Sequence, residues 1–250
     1  MLGAPPMRLY LLELGQIDMD RRVIMPTSPP DQRIVIPVPG YLIRTGDAMI
    51  LVDTGISRAI LAGTESVGPL MRPLGGEEAH VTARLAAIGV APEAVTHVVA
   101  THFHFDHAGA LGDFPNARIV AQRAAVEAAR VGSPREQAAV NAPGLDWHLV
   151  DGDTDLAPGV RLLRTDGHAV GHQSVLVTLP SGSAFLLAID AIYSSDQLAI
   201  GDWGAYVDHA AARASARRVQ DLAAEANATL VYGHDAAQWR GLRHAPEWYE

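Results

Sequence analysis

Seven consecutive residues, Thr101-His102-Phe103-His104-Phe105-Asp106-His107, carry three imidazoles and a carboxylate directly after the apolar run Val98-Val99-Ala100. In extended backbone, residues two apart point the same way, so His102 and His104 can grip one metal ion together. Asp106 and His107 fall just beyond and are placed to serve a second ion beside the first. Imidazole nitrogen with carboxylate oxygen, and no thiolate, suits zinc or a similar borderline first-row metal. A solvated histidine-rich loop is the bland alternative. The density of ligand-type residues behind a buried strand argues against it and points to a hydrolase.

The same kind of residue recurs where later strands end. Val160 to Thr165 is followed by Asp166-Gly167-His168-Ala169-Val170-Gly171-His172, Ala184 to Ile189 by Asp190, and Thr229 to Tyr232 by Gly233-His234-Asp235. A lone buried histidine is more often a hydrogen-bonded core residue than a ligand. If these strand ends converge on one rim, however, five histidines and two aspartates meet there. That is too many for one tetrahedral ion and fits two. Two neighbouring ions need a shared ligand, and a carboxylate can bridge where imidazole cannot, so Asp190 is the natural bridge.

The elements that must position these residues are read from periodicity and punctuation. Residues 8–14 suit a strand, and 15–39, with Pro26, Pro29, Pro30, Pro37 and Pro39, reads as a long irregular stretch, functional or disordered. Tyr41 to Arg44 and Ala48 to Val52 form a hairpin about Gly46-Asp47. Asp53, at the second strand's end, is placed either to support a metal ligand from behind or to cap the following turn. Residues 56–76 read as loop or short helix, a candidate lid. Glu77 to Ile88 reads as a helix stopped by Gly89, with Val81, Leu85 and Ile88 on one face. Val95 to Thr101 is a buried strand, and Ala108 to Leu111 opens a short helix. Arg118 to Ala121 is a strand and Gln122 to Val131 an Ala-rich helix. Ser174 to Leu179 is a further strand, and Asp208 N-caps a long helix to about Asn227, with Val219, Leu222 and Ala226 on its buried side. Two such series suggest two sheets packed face to face with helices outside, in a single domain spanning 1–250.

Composition narrows the function classes. Hydrophobic residues make up 48% of the 250, enough for a sizeable core. A formal net charge of -9 argues against a nucleic-acid partner, which calls for a basic patch. There is no cysteine, which excludes disulfides, iron–sulfur clusters and thiolate zinc sites. No run of eighteen apolar residues suggests a membrane span, and residues 8–14 are too short and too charged for a secretory segment. The expectation is a soluble cytoplasmic protein, monomer or homodimer, with neither membrane nor nucleic acid as partner.

The H-x-H-x-D-H cluster, the later Gly-His-x-x-Gly-His, the strand-end aspartate and the final Gly-His resemble the metallo-β-lactamase superfamily over nearly the whole chain. Within it, residues 101–109, 165–174, 190–193 and 233–235 are similar to the N-acyl homoserine lactone lactonases, the quorum-quenching enzymes. Tyr193, three residues after Asp190, is the subfamily feature. The resemblance implies an α/β fold, the αββα four-layer sandwich, carrying two divalent ions, zinc first, with iron, cobalt or manganese as alternatives. It implies that His102, His104 and His168 hold one ion and Asp106, His107 and His234 the other, with Asp190 between. The first histidine of the 167–172 motif has the ligand role in the family, which leaves His172 a structural one. One departure is visible, because the family usually has proline where this chain has Asp166.

The chemistry implied is ring opening of a small-molecule lactone by a metal-bridging hydroxide. Tyr193 would donate to the developing oxyanion and Asp106 would shuttle the proton to the leaving group, so these two are the catalytic candidates. Phe105 would wall the lactone ring, plain core packing being its other reading. Met19, Ile24, Met25 and the 63–76 loop are candidates for an acyl groove. Rival readings are another lactone, of the γ-butyrolactone or pyridoxolactone type, a glyoxalase II-like thioesterase, and a metal-binding sensor without turnover. The thioesterase usually carries basic residues in a C-terminal region, for which only Trp239-Arg240-Gly241-Leu242-Arg243 offers itself here.

Overall fold

Along the first strand, Leu9 and Leu11 alternate with Tyr10 and Leu12, and all four are buried. Successive side chains point to opposite faces, so this strand has protein on both sides and lies inside a layered structure. The computed structural model describes residues 7–250. Its strands are β1 (Arg8–Asp20), β2 (Arg33–Thr45), β3 (Ala48–Val52), β4 (Met71–Leu74), β5 (His97–Val99), β6 (Arg118–Gln122), β7 (Asp146–Val150), β8 (Thr154–Ala157), β9 (Val160–Arg164), β10 (Gln173–Thr178), β11 (Ala184–Ile189) and β12 (Ala228–Tyr232). The helices are α1 (Arg58–Leu61), α2 (Val81–Ala86), α3 (Arg123–Ala129), α4 (Pro134–Val140), α5 (Ser195–Ile200), α6 (His209–Glu225) and α7 (Ala236–Trp239).

The strands form two sheets, ordered β4-β1-β2-β3-β5-β6-β7 and β12-β11-β10-β9-β8. Leu9, Leu11, Ile43 and Val52 from the first sheet share one buried cluster with Leu162, Val175, Leu187 and Val231 from the second. The opposite faces are covered by helices: α2 against β1, α3 against β6, and α6 against β11 and β12. Helix, sheet, sheet and helix make the four layers expected. Among the described residues no helix is long and apolar enough to cross a membrane.

Several boundaries differ from the sequence reading. The irregular stretch shrinks to residues 21–32, because β1 runs on through a register shift between Glu13 and Gln16 and β2 already begins at Arg33. Pro37 and Pro39 lie inside β2, yet β3 pairs only with residues 41–45 of that strand. Residues 33–40 therefore have an open side, where a missing N–H costs no ladder bond. Within 56–76 the segment Met71–Leu74 pairs with β1 as an edge strand, a short element with no alternation to betray it. The helix expected over 77–88 breaks at His80, whose ring caps α2 by accepting from the Thr82 N–H. Elements β7, β8, α4, α5 and α7 have no clear period along the sequence, being short and partly exposed. Asp208 does cap α6 through the Ala210 and Ala211 N–H groups; Val219 and Ala223 are buried beneath it, while Leu222 and Ala226 are half-buried.

Candidate metal centre

Strands β9 and β11 both run antiparallel to β10, and β12 is parallel to β11. Their C-terminal ends therefore share one edge of the second sheet, where the chain places His168, Asp190 and His234. From the first sheet, β5 delivers the 101–107 segment to the same edge. Asp53, at the end of β3, anchors it. One carboxylate oxygen accepts from the Thr101 N–H at 2.9 Å, and the other accepts from Thr101 Oγ1 at 2.7 Å and from His107 Nδ1 at 2.8 Å. Of the two sequence readings of Asp53, support of a candidate ligand from behind is the one met: its bonds go to Thr101 and His107, not to the N–H groups of the turn that follows it. Asp53 makes them from a left-handed backbone, φ 59°, strain that its buried bonds stabilise.

The seven predicted side chains fall into two adjoining donor sets. In the first, His168 Nε2 lies 3.1 Å from His102 Nε2 and 3.0 Å from His104 Nδ1, and 3.2 Å from Asp190 Oδ2. In the second, Asp190 Oδ1 lies 3.2 Å from His234 Nε2 and 3.4 Å from His107 Nε2. Asp106 Oδ2 completes that set at 3.7 Å from His107 Nε2 and 3.8 Å from His234 Nε2. Each oxygen of Asp190 faces a different set. His102, His107, His168, His234, Asp106 and Asp190 are buried, and His104 is half-buried.

This arrangement fits cations. His107 Nε2 and Asp190 Oδ1 are buried without a hydrogen-bond partner, a costly condition that a shared cation relieves. Three of the far ring nitrogens are fixed from behind: His107 Nδ1 on Asp53, His234 Nδ1 donating to the Pro37 carbonyl at 2.9 Å, and His168 Nδ1 at 3.0 Å from the Tyr193 hydroxyl. Such contacts orient each ring so that Nε2 faces inward. Pro37 was invisible as a participant because its backbone carbonyl, not its side chain, acts here.

Electrostatics divide the two sets. Burial holds His102 and His168 well below the usual imidazole range, reinforced by neighbouring histidines, so their lone pairs stay free. His107 is also penalised by burial, but Asp190, Asp106 and Asp53 outweigh this and push it up to about 10. Burial would raise Asp190, yet His107, His234 and His168 hold it well below the carboxylate range. The aspartate-rich half therefore calls for positive charge, and the histidine-rich half offers neutral donors.

Above the donors lies a cavity of about 280 Å³ whose lining includes Ile17, Met19, Ile24, Phe105, Tyr193 and Ala205. Phe105 is half-buried, packs against the core and also borders a neighbouring cavity of about 240 Å³, so it serves packing and cavity wall together. Of the groove candidates, Met19 and Ile24 line the first cavity, and Met71 does so from the 63–76 loop. Met25 does not: it is buried, and its sulfur accepts from Arg21. Tyr206, which sequence reasoning missed, packs its ring 5.2 Å from His168 and 5.0 Å from Tyr193; no spacing in the sequence marks it. Asp166 touches none of the donor-set histidines. It pairs with Arg164 at 2.6 Å and accepts from the Gly171 N–H at 2.7 Å, bracing the loop where proline was expected.

The metallo-beta-lactamase superfamily model matches residues 34–234. An N-acyl homoserine lactonase of Bacillus cereus is 32% identical over 247 residues, covering 96% of this chain and 98% of that protein. A second, from Rhizobium johnstonii, is 33% identical over 263 residues, with 97% and 98% covered. Among solved structures, an N-acyl homoserine lactone hydrolase with N-hexanoyl-L-homoserine bound at its catalytic metal center is similar at TM-score 0.89 and 30% identity, covering 97% of this chain and 98% of that one. A dizinc quorum-quenching lactonase shares the fold at TM-score 0.76 and 19% identity, covering 99% and 94%.

Proposed function

The chain belongs to the metallo-β-lactamase superfamily and, within it, to the N-acyl homoserine lactonase family, and we propose that it is a dinuclear metal-dependent lactonase that opens the ring of N-acyl homoserine lactones. The observation that carries this reading is Asp190, whose two oxygens face two separate donor sets at the floor of a largely apolar cavity. His102, His104 and His168 would hold one divalent ion and Asp106, His107 and His234 the other, with Asp190 shared. When bound, the pair, zinc in our reading, would activate water at neutral pH and polarise the substrate carbonyl.

The protein's own groups then divide the work. The Tyr193 oxygen can accept from His168 Nδ1, which leaves its own proton free to donate to the carbonyl oxygen as charge develops there. Burial first, with Tyr206 and Asp190 near, keeps this phenol protonated. The water oxygen bonds to the carbonyl carbon and the ring C–O bond breaks. Asp106 carries the water's proton to the leaving alkoxide, giving a hydroxyl and a carboxylic acid that ionises. Phe105 walls the lactone, and Met19, Ile24 and Met71 offer apolar surface to the acyl chain.

The test is acid release, followed with a pH indicator, from acyl homoserine lactones of several chain lengths. A lactoylglutathione thioester and a simple γ-lactone serve as controls. Fast opening of the acyl lactones above both controls is expected. Turnover of a control alone would move the substrate to a sister family, and silence on all would leave a metal-binding protein without turnover.

A further inference from the structure

We infer that His172 is a positioning residue for the two-metal centre: its imidazole holds the backbone turn at Ile189-Asp190 so that the Asp190 carboxylate straddles both donor sets. His172 is fully buried, and it lines neither cavity beside Phe105. Its Nε2 accepts from the Asp190 N–H at 3.1 Å. With that lone pair engaged, the nitrogen is not available as a metal ligand. Nδ1 lies 3.1 Å from the Thr165 carbonyl, to which it can only donate, and this fixes the tautomer that makes Nε2 the acceptor.

The turn needs holding. Ile189 has φ 52°, and a β-branched residue in left-handed backbone is a genuine outlier that persists only when its surroundings over-determine it. The bonds around it form a closed circuit. His172 grips the residue after Ile189. Its partner Thr165 meets Ser174 at 2.9 Å between hydroxyls, and Ser174 Oγ donates at 2.9 Å to the carbonyl of Ala188, the residue before. From the other side Gly233 packs against the same turn, where a Cβ would come within 2.4 Å of the Ile189 carbonyl oxygen. Ile189 is thus clamped on both flanks by one buried polar circuit running through His172. The left-handed turn redirects the chain at the end of β11, and the carboxylate that follows points between the sets.

The test reads metal binding as well as turnover. His172→Phe keeps an aromatic ring and removes the acceptor; His172→Gln restores an acceptor oxygen. Zinc content and zinc affinity by chelator competition are measured on each full-length variant, with melting temperature alongside. The Phe variant is expected to bind zinc roughly 10- to 100-fold more weakly, the range for losing an outer support of a metal ligand, and the Gln variant to recover most of the loss. A Phe variant holding two zinc ions at wild-type affinity would overturn the proposal, whatever its melting temperature, as would a Gln variant no better than Phe. Should the Phe variant not fold, Ser174→Ala decides: it cuts the circuit at Ala188 and is expected to weaken zinc binding several-fold, and unchanged affinity would overturn the proposal equally.

Discussion

Of the histidines in the donor sets, His104 alone turns Nδ1 inward, while His102, His107, His168 and His234 use Nε2. His104 sits in the turn after β5, where the backbone runs close to the site, so the nearer ring nitrogen reaches. Its identity was legible in the H-x-H spacing; the atom it uses was not. The same holds for Tyr193. Its position three residues after Asp190 marked it, but its contact with His168 Nδ1 came only with the fold. Tyr193→Phe keeps the ring packing against Tyr206 and His168 and removes one hydroxyl. The expected result is a kcat loss of roughly 10²- to 10³-fold, the usual cost of one oxyanion donor, with both zinc ions retained. Steady-state kinetics and zinc analysis on one preparation check this, and an unchanged kcat removes Tyr193 from the chemistry.

At the level of elements, strand-end turns do the positioning. The sequence announced most of those ends through Gly, Asp and His, but it hid what presses on them. Gly167 illustrates the point. It adopts φ 129°, and a Cβ on it would lie 2.3 Å from the backbone nitrogen of Ala212 in α6. Its carbonyl accepts from the Asp208 N–H at 2.9 Å, so the first turn of α6 rests directly on the loop bearing His168. Gly167→Ala forces backbone against backbone, and overpacking of this kind costs about 1–3 kcal/mol. A lower melting temperature together with weaker zinc retention is expected. A variant with native zinc content and native melting temperature would show that the loop adjusts freely. The prolines of β2 teach the converse. Read locally they break a strand; in the sheet they occupy a segment with one open side, and the Pro37 carbonyl is left for His234.

Across the whole molecule the centre lies where the two sheets meet, so cations bound there would tie the halves together. The histidine set confronts buried ring nitrogens with one another, the other leaves His107 Nε2 and Asp190 Oδ1 without a hydrogen-bond partner, and a ligand that binds only the folded state stabilises it. Zinc at a thousandfold its dissociation constant contributes about 4 kcal/mol. For a chain of this size that corresponds to a melting shift of roughly 8–16 °C. Chelation followed by a thermal scan is expected to show such a drop, reversed by added zinc; an unchanged transition would mean the donor sets hold no stabilising ion. The donor types, their attachment to strand ends and the pairing of two sheets were legible along the chain, because hydrophobic alternation and residue chemistry are local properties. Folding was needed to settle which ring nitrogens face inward, which Asp190 oxygen faces which donor set, that Asp53, Pro37 and His172 stand behind the donors, and that Met19, Ile24 and Met71 rather than Met25 line the cavity. Those are distances between atoms brought together from far apart in the chain, and no pattern along it encodes them directly.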